Sequence, residues 1–171
     1  IYTGDKDSFQ LVDDETSVCF TRRGITETEL YSIDNFKEKT GIDPIQIIDL
    51  KSLMGDSSDN IPGVHGVGEK TALSLVQKYG SVEKVYENAD ELSGKLKEKI
   101  LSGKDSAMMS KTLATINVDC GIDFSLDKMK FSLPLSAAAE KKFAELEFKG
   151  ILKNKSLFSS EKTTEKTENL K

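Results

Sequence analysis

Cysteine is scarce in this sequence, and its scarcity excludes the protein classes that depend on it. The 171 residues include two cysteines, Cys19 and Cys120, which lie far apart and without CxxC spacing. Such a pair supports neither a zinc site nor a disulfide scaffold. Because extracellular small domains depend on disulfides, we expect a reducing, cytoplasmic environment.

Long apolar runs are also missing, and histidine is rare. The longest apolar stretch, residues 45–50, is interrupted by Gln46 and Asp49, whereas a helix that crosses a bilayer needs about 20 apolar residues. An integral membrane protein is therefore excluded. The single histidine, His65, has no cysteine or second histidine nearby, which favours a turn residue over a metal ligand or general base. The aromatic residues are scattered at spacings typical of a core, so no base-stacking platform is expected.

Acidic residues are unevenly distributed along the chain. The net charge of −5 argues against a generally basic nucleic-acid coat. Residues 1–62 contain thirteen acidic and six basic residues, whereas 63–111 and 112–171 each carry a net charge of +1. An N-terminal excess of carboxylates is either an ordinary solvated surface or a site that holds divalent cations.

The first 41 residues show strand and helix signals. Residues 1–3 are typical of the end of a buried strand, and 17–21 have the composition of another strand. Thr26 and Glu29 form a capping-box pattern that predicts a helix ending at Gly41. Because the chain opens on a strand and without methionine, we expect it to be a piece of a longer chain.

The remainder is predicted to be mainly helical. Asp43 and Pro44 predict the start of a helix that ends at Gly55. The spacing of Leu75 and Val76 with neighbouring apolar residues predicts an amphipathic helix over 68–80, with both side chains buried. Short helices are expected over 81–116, 136–148 and 150–158, and an extended segment over 117–131. The polar segment 159–171 is expected to be a flexible linker.

Two pairs of aspartates are candidate metal ligands. Asp5 and Asp7 alternate after the first strand, where two carboxylates can bind a hard cation or one of them can simply cap a helix. Asp56 and Asp59 are three apart in a loop rich in Gly, Ser and Asn. One helical turn would place both carboxylates on one face, but these residue types are also common in turns and caps.

A glycine-rich segment, residues 63–72, gives the strongest local signal. Gly66 and Gly68 allow a tight turn that leaves backbone N–H groups at the start of a helix, where phosphate is attracted. Lys70 and Thr71 add a cation and a hydroxyl in the first turn. The pattern is typical of a helix-hairpin-helix that grips a nucleic-acid backbone, and its spacing excludes a P-loop or a dinucleotide fingerprint. The alternative is a glycine-rich connector between packed helices.

The chain resembles the 5′ nuclease domain (5′ to 3′ exonuclease, flap endonuclease-like) of bacterial DNA polymerase I. The resemblance is carried, in order, by segments 3–11, 53–63 and 64–72 and by Tyr79-Gly80-Ser81. The resemblance covers residues 1–158 and is tightest over 55–72. It implies an α/β fragment that is mainly α: the end of a parallel-sheet nuclease core, 1–62, followed by a helix-hairpin-helix subdomain of the helix-3-turn-helix type, 63–158. It also implies a bacterial, cytoplasmic protein.

The resemblance further implies the roles of individual residues. Asp5, Asp7, Asp56 and Asp59 would be catalytic carboxylates that hold Mg²⁺ or Mn²⁺ in a two-metal centre. The hairpin would hold the backbone of duplex DNA near a flap junction, with K⁺ bridging the carbonyls of Pro62, Val64 and Val67 to phosphate. The implied DNA-binding residues are Gly63, Val64, His65, Gly66, Val67, Gly68, Lys70 and Thr71.

The sequence departs from the family in one large respect. The first half of the family's domain, with further acidic ligands and the helical arch that holds the 5′ flap, is not in this chain. We therefore expect a monomeric fragment, continuous with a polymerase in its parent, that binds DNA without cleaving it. Two alternatives stay open. The first is a helix-hairpin-helix module that binds DNA without cleaving it, although carboxylates that face the DNA phosphates would give such a module no advantage. The second is a short nuclease whose missing ligands lie upstream of this sequence.

Overall fold

A computed structural model describes residues 1–24 and 26–158 of the chain. The chain divides into two compact units, the first of which spans Ile1–Val118 and the second of which begins at Asp119. Every predicted site residue lies in the first unit. The predicted linker, 159–171, lies outside the described residues. Within the described ranges, no helix combines the length and the apolar character needed to cross a bilayer.

A small mixed sheet forms one end of the first unit. The strands are β1 (Tyr2–Thr3), β2 (Val18–Arg23) and β3 (Glu27–Tyr31), in that order. β1 runs parallel to β2, and β2 is antiparallel to β3. The β-branched and aromatic residues of β2 suit a pleated, half-buried surface. The predicted strands at 1–3 and 17–21 are confirmed.

The predicted helix that begins at Thr26 is wrong at its start. Residues Glu27–Tyr31 form strand β3, and helix α1 spans Ile33–Thr40. Pairing with β2 overrides the local capping pattern, because it places Tyr31 in the core against Phe9 and Phe36. The helix ends at Gly41 as predicted, with that glycine in the left-handed conformation.

Helices make up the rest of the first unit. A 3-10 turn (Pro44–Gln46) leads into α2 (Ile47–Met54), which packs against α3 (Glu69–Tyr79) and α6 (Lys104–Ala114). Leu75 and Val76 of α3 are buried, as predicted. The unit also contains α4 (Val82–Glu87) and α5 (Gly94–Ser102).

A partly buried ion-pair network, centred on the buried Asp49, joins three of these helices. The Lys111 ammonium on α6 lies 3.0 Å from Asp49 Oδ1 on α2 and 2.7 Å from Glu83 Oε1 on α4. The same Asp49 oxygen accepts a hydrogen bond of 3.0 Å from the Val82 N–H. Buried charges need partners of this kind, so the network holds α2 in a defined orientation.

The second unit contains two short helices, α7 (Ala137–Glu145) and α8 (Lys149–Lys153). Ser136 caps α7 through a hydrogen bond from the Ala139 N–H, as the sequence predicts. In the predicted extended segment, the described backbone forms no strand and includes a 3-10 turn at Leu126–Met129. The division into a nuclease core, 1–62, and a hairpin subdomain, 63–158, stays a prediction. Helices on both sides of residue 62 contribute to one hydrophobic core.

Candidate functional site

The loop after α2 closes on itself and positions two of the predicted carboxylates. Gly55 ends the helix with a φ of 75°, and the backbones of Asp56 and Ile61 then pair through two hydrogen bonds of 2.8 Å. The Asp56 carboxylate accepts a hydrogen bond of 2.9 Å from the Ser58 N–H. This arrangement holds Asp56 and Asp59 in one short turn. Asp56 is thus both a turn residue and a candidate ligand.

The first 3-10 helix, Lys6–Leu11, brings a third carboxylate to this loop. It follows β1 directly, and Asp5 caps it by accepting a hydrogen bond of 2.9 Å from the Asp7 N–H. Oxygen atoms of Asp7, Asp56 and Asp59 all lie within 4.8 Å of one another. Asp5 is not part of this cluster, so its predicted role as a metal ligand stays a prediction and its observed role is that of a cap.

A buried lysine pairs with the carboxylate cluster. Lys51 lies on α2 with 8% of its side chain exposed, and its ammonium forms ion pairs with Asp7 Oδ1 and, at 2.7 Å, with Asp56 Oδ2. The hydrogen bond from Lys51, followed by that from Ser58, lowers the pKa of Asp56 to about 2. Asp56 is therefore ionised at neutral pH, and one fixed positive charge already faces the cluster.

The donor set fits a hard divalent cation. Carboxylate oxygens are the ligands that Mg²⁺ and Ca²⁺ take in proteins, and two ligands of one Mg²⁺ lie at most about 4.2 Å apart, since each bond is about 2.1 Å. The 4.8 Å limit that the three oxygen atoms satisfy is slightly wider than this separation, so direct coordination by all three requires a small movement of one side chain. Asp59 is exposed, so rotation of its side chain can close the gap. Asp7, Asp56 and Asp59 are the candidate metal ligands.

The hairpin that follows is anchored in the core by its valines. Val64 and Val67 are 2% and 4% exposed, and the Val67 N–H donates to the Val64 carbonyl at 3.0 Å. Their side chains therefore hold the turn in place and do not face a ligand. The Val64 N–H also donates to the Leu53 carbonyl of α2 at 2.8 Å, which fixes the hairpin relative to the helix that carries Lys51.

Gly63 joins the hairpin to α6. Its N–H donates to the Ser110 hydroxyl at 2.9 Å, and its carbonyl accepts from the Ser106 hydroxyl at 2.6 Å. A Cβ at position 63 would lie 2.2 Å from the Gly55 nitrogen, so only glycine fits this approach of two backbones.

The exposed side of the hairpin presents backbone and polar groups. His65, Gly66, Gly68 and Lys70 are exposed and Thr71 is half-buried. Gly66 has a φ of +75°, and α3, whose N-terminal N–H groups attract anions, begins directly after Gly68. This surface belongs to the same loop as Asp56 and Asp59. One continuous stretch of chain therefore combines two of the three clustered carboxylates with a surface suited to phosphate.

Comparisons with known proteins agree with this arrangement. The family model described as "5'-3' exonuclease, C-terminal SAM fold" matches residues 42–137. The chain belongs to this family. It is also 55% identical to DNA polymerase I of Bacillus subtilis over 132 residues, which is 77% of this chain and 15% of the relative. The chain thus spans about 15% of the length of that relative.

Two solved structures of bacteriophage T5 proteins share the fold. The T5 5′-exonuclease with bound divalent zinc ions is 26% identical, with a TM-score of 0.55 over 66% of this chain and 41% of that chain. The T5 D15 flap endonuclease in a pseudo-enzyme-product complex with DNA and metal ions is 25% identical, with a TM-score of 0.55 and the same coverage of 66% and 41%. The predicted family and the mainly helical fold with a small sheet are confirmed.

Sequence reasoning missed two lysines of the site. Lys51 lies in an apolar helix next to the aspartate loop, and a charge inside that apolar pattern was the available signal. Lys99 is one of four lysines within residues 95–104, a pattern typical of a solvated helix surface, but its ammonium donates to the Gly66 carbonyl at 2.8 Å. This contact joins residues 33 positions apart, so local sequence gives no sign of it.

Proposed function

We propose that this chain is part of a structure-specific DNA 5′ nuclease, with 5′ to 3′ exonuclease and flap endonuclease activity, that serves replication and repair within a bacterial, cytoplasmic DNA polymerase I. The observation that carries the proposal is the cluster of Asp7, Asp56 and Asp59, with oxygen atoms within 4.8 Å of one another. Asp56 and Asp59 lie on the loop that leads into the hairpin, and Asp7 lies on the first 3-10 helix. Membership of the 5′–3′ exonuclease family supports it.

The carboxylates would hold Mg²⁺ or Mn²⁺, with Asp5 a further ligand if its cap opens. When bound, two such ions supply Lewis-acid stabilisation of the attacking and leaving oxygens of a phosphodiester. The chain's own residues do the positioning. Lys51 holds Asp7 and Asp56 together by its ion pairs, and without that charge three neighbouring carboxylates would repel one another.

The hairpin, residues 63–71, would position the duplex. Gly66 and Gly68 are exposed next to the N-terminal N–H groups of α3, and Lys70 and Thr71 lie in the first turn of that helix. Contacts of this type grip phosphates without reading bases. The related K⁺ prediction, at the carbonyls of Pro62, Val64 and Val67, stays a prediction, and the Val64 carbonyl already accepts the Val67 N–H.

We also propose that the 171-residue chain is a monomer that binds DNA without cleaving it. In the described ranges, three carboxylates come together, and a pair of divalent ions needs further ligands. Cleavage of a 5′-flap substrate by the chain with Mg²⁺ or Mn²⁺, abolished by Asp56→Asn, would contradict this part of the proposal.

Metal binding and duplex binding test the proposal separately. Mn²⁺ titration followed by calorimetry should show binding by the wild-type chain and at least about tenfold weaker binding by Asp59→Asn, because one charged ligand is removed. Duplex affinity should fall for Lys70→Ala. If Mn²⁺ does not bind while duplex DNA does, the non-catalytic helix-hairpin-helix module becomes the better description.

A further inference from the structure

A single lysine from another helix closes the exposed side of the hairpin turn. Lys99 lies on α5, and its ammonium donates a hydrogen bond of 2.8 Å to the Gly66 carbonyl. A Cβ on Gly66 would meet Lys99 Nζ at 2.7 Å and Cε at 3.0 Å. The absence of a side chain at position 66 therefore leaves the space that the ammonium occupies.

The helix that carries Lys99 is fixed against the hairpin. A Cβ on Gly103, at the end of α5, would lie 2.7 Å from Val64 Cγ1, so the two segments are in close contact. Lys99 and Gly103 also line a cleft of about 350 Å³ beside the hairpin, together with Pro62 and His65. Packing thus holds the helix that carries Lys99 beside the hairpin, and the hydrogen bond to the Gly66 carbonyl places the exposed Lys99 ammonium on the turn.

The contact supplies a positive charge where a duplex-binding turn needs one. The Gly66 carbonyl lies on the exposed side of the turn, and a carbonyl oxygen that faces a phosphate repels it. An ammonium within hydrogen-bond distance offsets that repulsion and holds the peptide group in one orientation. A solution cation of similar size, such as K⁺ or NH₄⁺, could do the same from the solvent.

Lys97, a neighbouring lysine on the same helix, does not contact the hairpin carbonyl that Lys99 binds. It lies on the same helix, two residues earlier, but its ammonium pairs with Asp90 at 2.7 Å. Lys97 thus has a carboxylate partner away from the hairpin, while Lys99 has a backbone carbonyl of the turn itself. The two residues form a matched pair for experiment.

We infer that the Lys99 ammonium is the hairpin's built-in cation, a positioning residue that acts through the Gly66 carbonyl. The inference rests on the proposed function, in which the hairpin binds the duplex backbone. With this tethered cation in place, the turn keeps its duplex-binding shape without a monovalent cation from solution. The chain should therefore bind duplex DNA equally well in K⁺ and in a cation too large to enter the turn. This outcome separates the inference from the predicted K⁺ site at the carbonyls of Pro62, Val64 and Val67, which would make duplex binding depend on K⁺.

The test compares cations at constant ionic strength. The dissociation constant of the full 171-residue chain for duplex DNA is measured in KCl, NH₄Cl and N-methyl-D-glucamine chloride. Lys99→Met removes the charge and keeps an unbranched stem, Lys97→Met is the matched control, and Lys99→Arg retains the charge. Thermal melting of each variant shows whether the fold is intact.

We expect wild type, Lys97→Met and Lys99→Arg to bind equally in all three salts. Lys99→Met should bind about tenfold more weakly in N-methyl-D-glucamine, the effect of one charge-assisted hydrogen bond, and should recover in K⁺ or NH₄⁺. A purely structural defect would not respond to the identity of the cation.

Two results would overturn the inference alone. In the first, wild type loses as much affinity on replacement of K⁺ by N-methyl-D-glucamine as Lys99→Met does. In the second, Lys99→Met binds as tightly as wild type in every salt. If wild type does not bind duplex DNA in any salt, or if Lys70→Ala leaves binding unchanged, the proposed function of the hairpin fails and the inference fails with it.

Discussion

Replacing Asp56 with asparagine should remove a stabilising charge pair. The free energy of unfolding should then fall less steeply than that of wild type as the pH is lowered. Asp56 pairs with the buried Lys51 ammonium at 2.7 Å, and the pKa of its carboxyl is about 2 instead of 3.8. Asparagine keeps an oxygen that can accept from the Ser58 N–H but cannot pair as an anion with Lys51. The variant therefore isolates the charge.

The size of the effect follows from linkage. One pKa unit corresponds to about 1.4 kcal/mol, so a carboxyl with a folded pKa near 2 and an unfolded pKa near 3.8 contributes at most about 2.5 kcal/mol. Because the folded pKa is the lower one, this stability is present above pH 4 and is lost as the pH falls towards 2. By pH 3 about half of it remains.

Urea denaturation followed by circular dichroism, in EDTA, measures the effect. Asp56→Asn should be less stable than wild type by about 2 kcal/mol at pH 6 and by about half of that at pH 3. Asp59→Asn is the control, since in the described part of the chain Asp59 has no ion pair with Lys51. The reasoning is refuted if the difference between wild type and Asp56→Asn is the same at both pH values.

Three further outcomes are expected. Leu75→Ala should lower the free energy of unfolding by roughly 2 to 5 kcal/mol because Leu75 is buried, whereas the exposed Ser74→Ala should leave it nearly unchanged; an equal thermal shift for both would contradict the assigned helix face. Gly63→Ala should prevent stable folding, seen as loss of the urea transition, because its Cβ would lie 2.2 Å from the Gly55 nitrogen; a wild-type transition would count against it. Lys70→Ala should weaken duplex binding about equally for all sequences and reduce the salt slope by about one unit, and unchanged affinity and slope in a salt titration would exclude Lys70 as a phosphate contact.

Local sequence determined much of the helical part of this protein. Amphipathic spacing predicts α3 and its buried Leu75 and Val76, and glycines mark the ends of α2 and α3, because both signals act within a few residues of one another. The glycine-rich hairpin and the aspartate loop were recognisable for the same reason. Their chemistry depends on residue types at short spacing, and short spacing is visible in sequence.

Long-range packing decided the rest. Residues 27–31 carry a helix-capping pattern but form β3, because pairing with β2 buries Tyr31. Asp5 and Asp7 look equivalent in sequence, yet the 3-10 helix makes one a cap and turns the other towards Asp56. These outcomes depend on contacts with other elements of the fold, which the pattern within one segment does not encode.

The two lysines show the same limit most clearly. Lys51 meets Asp7 only after α2 packs beside the first 3-10 helix, and Lys99 meets Gly66 only after α5 packs against the hairpin. In the sequence each is one lysine among the chain's 24 basic residues. Its partner is set by the distance between elements in the folded protein, since charge interactions act through space and not along the chain.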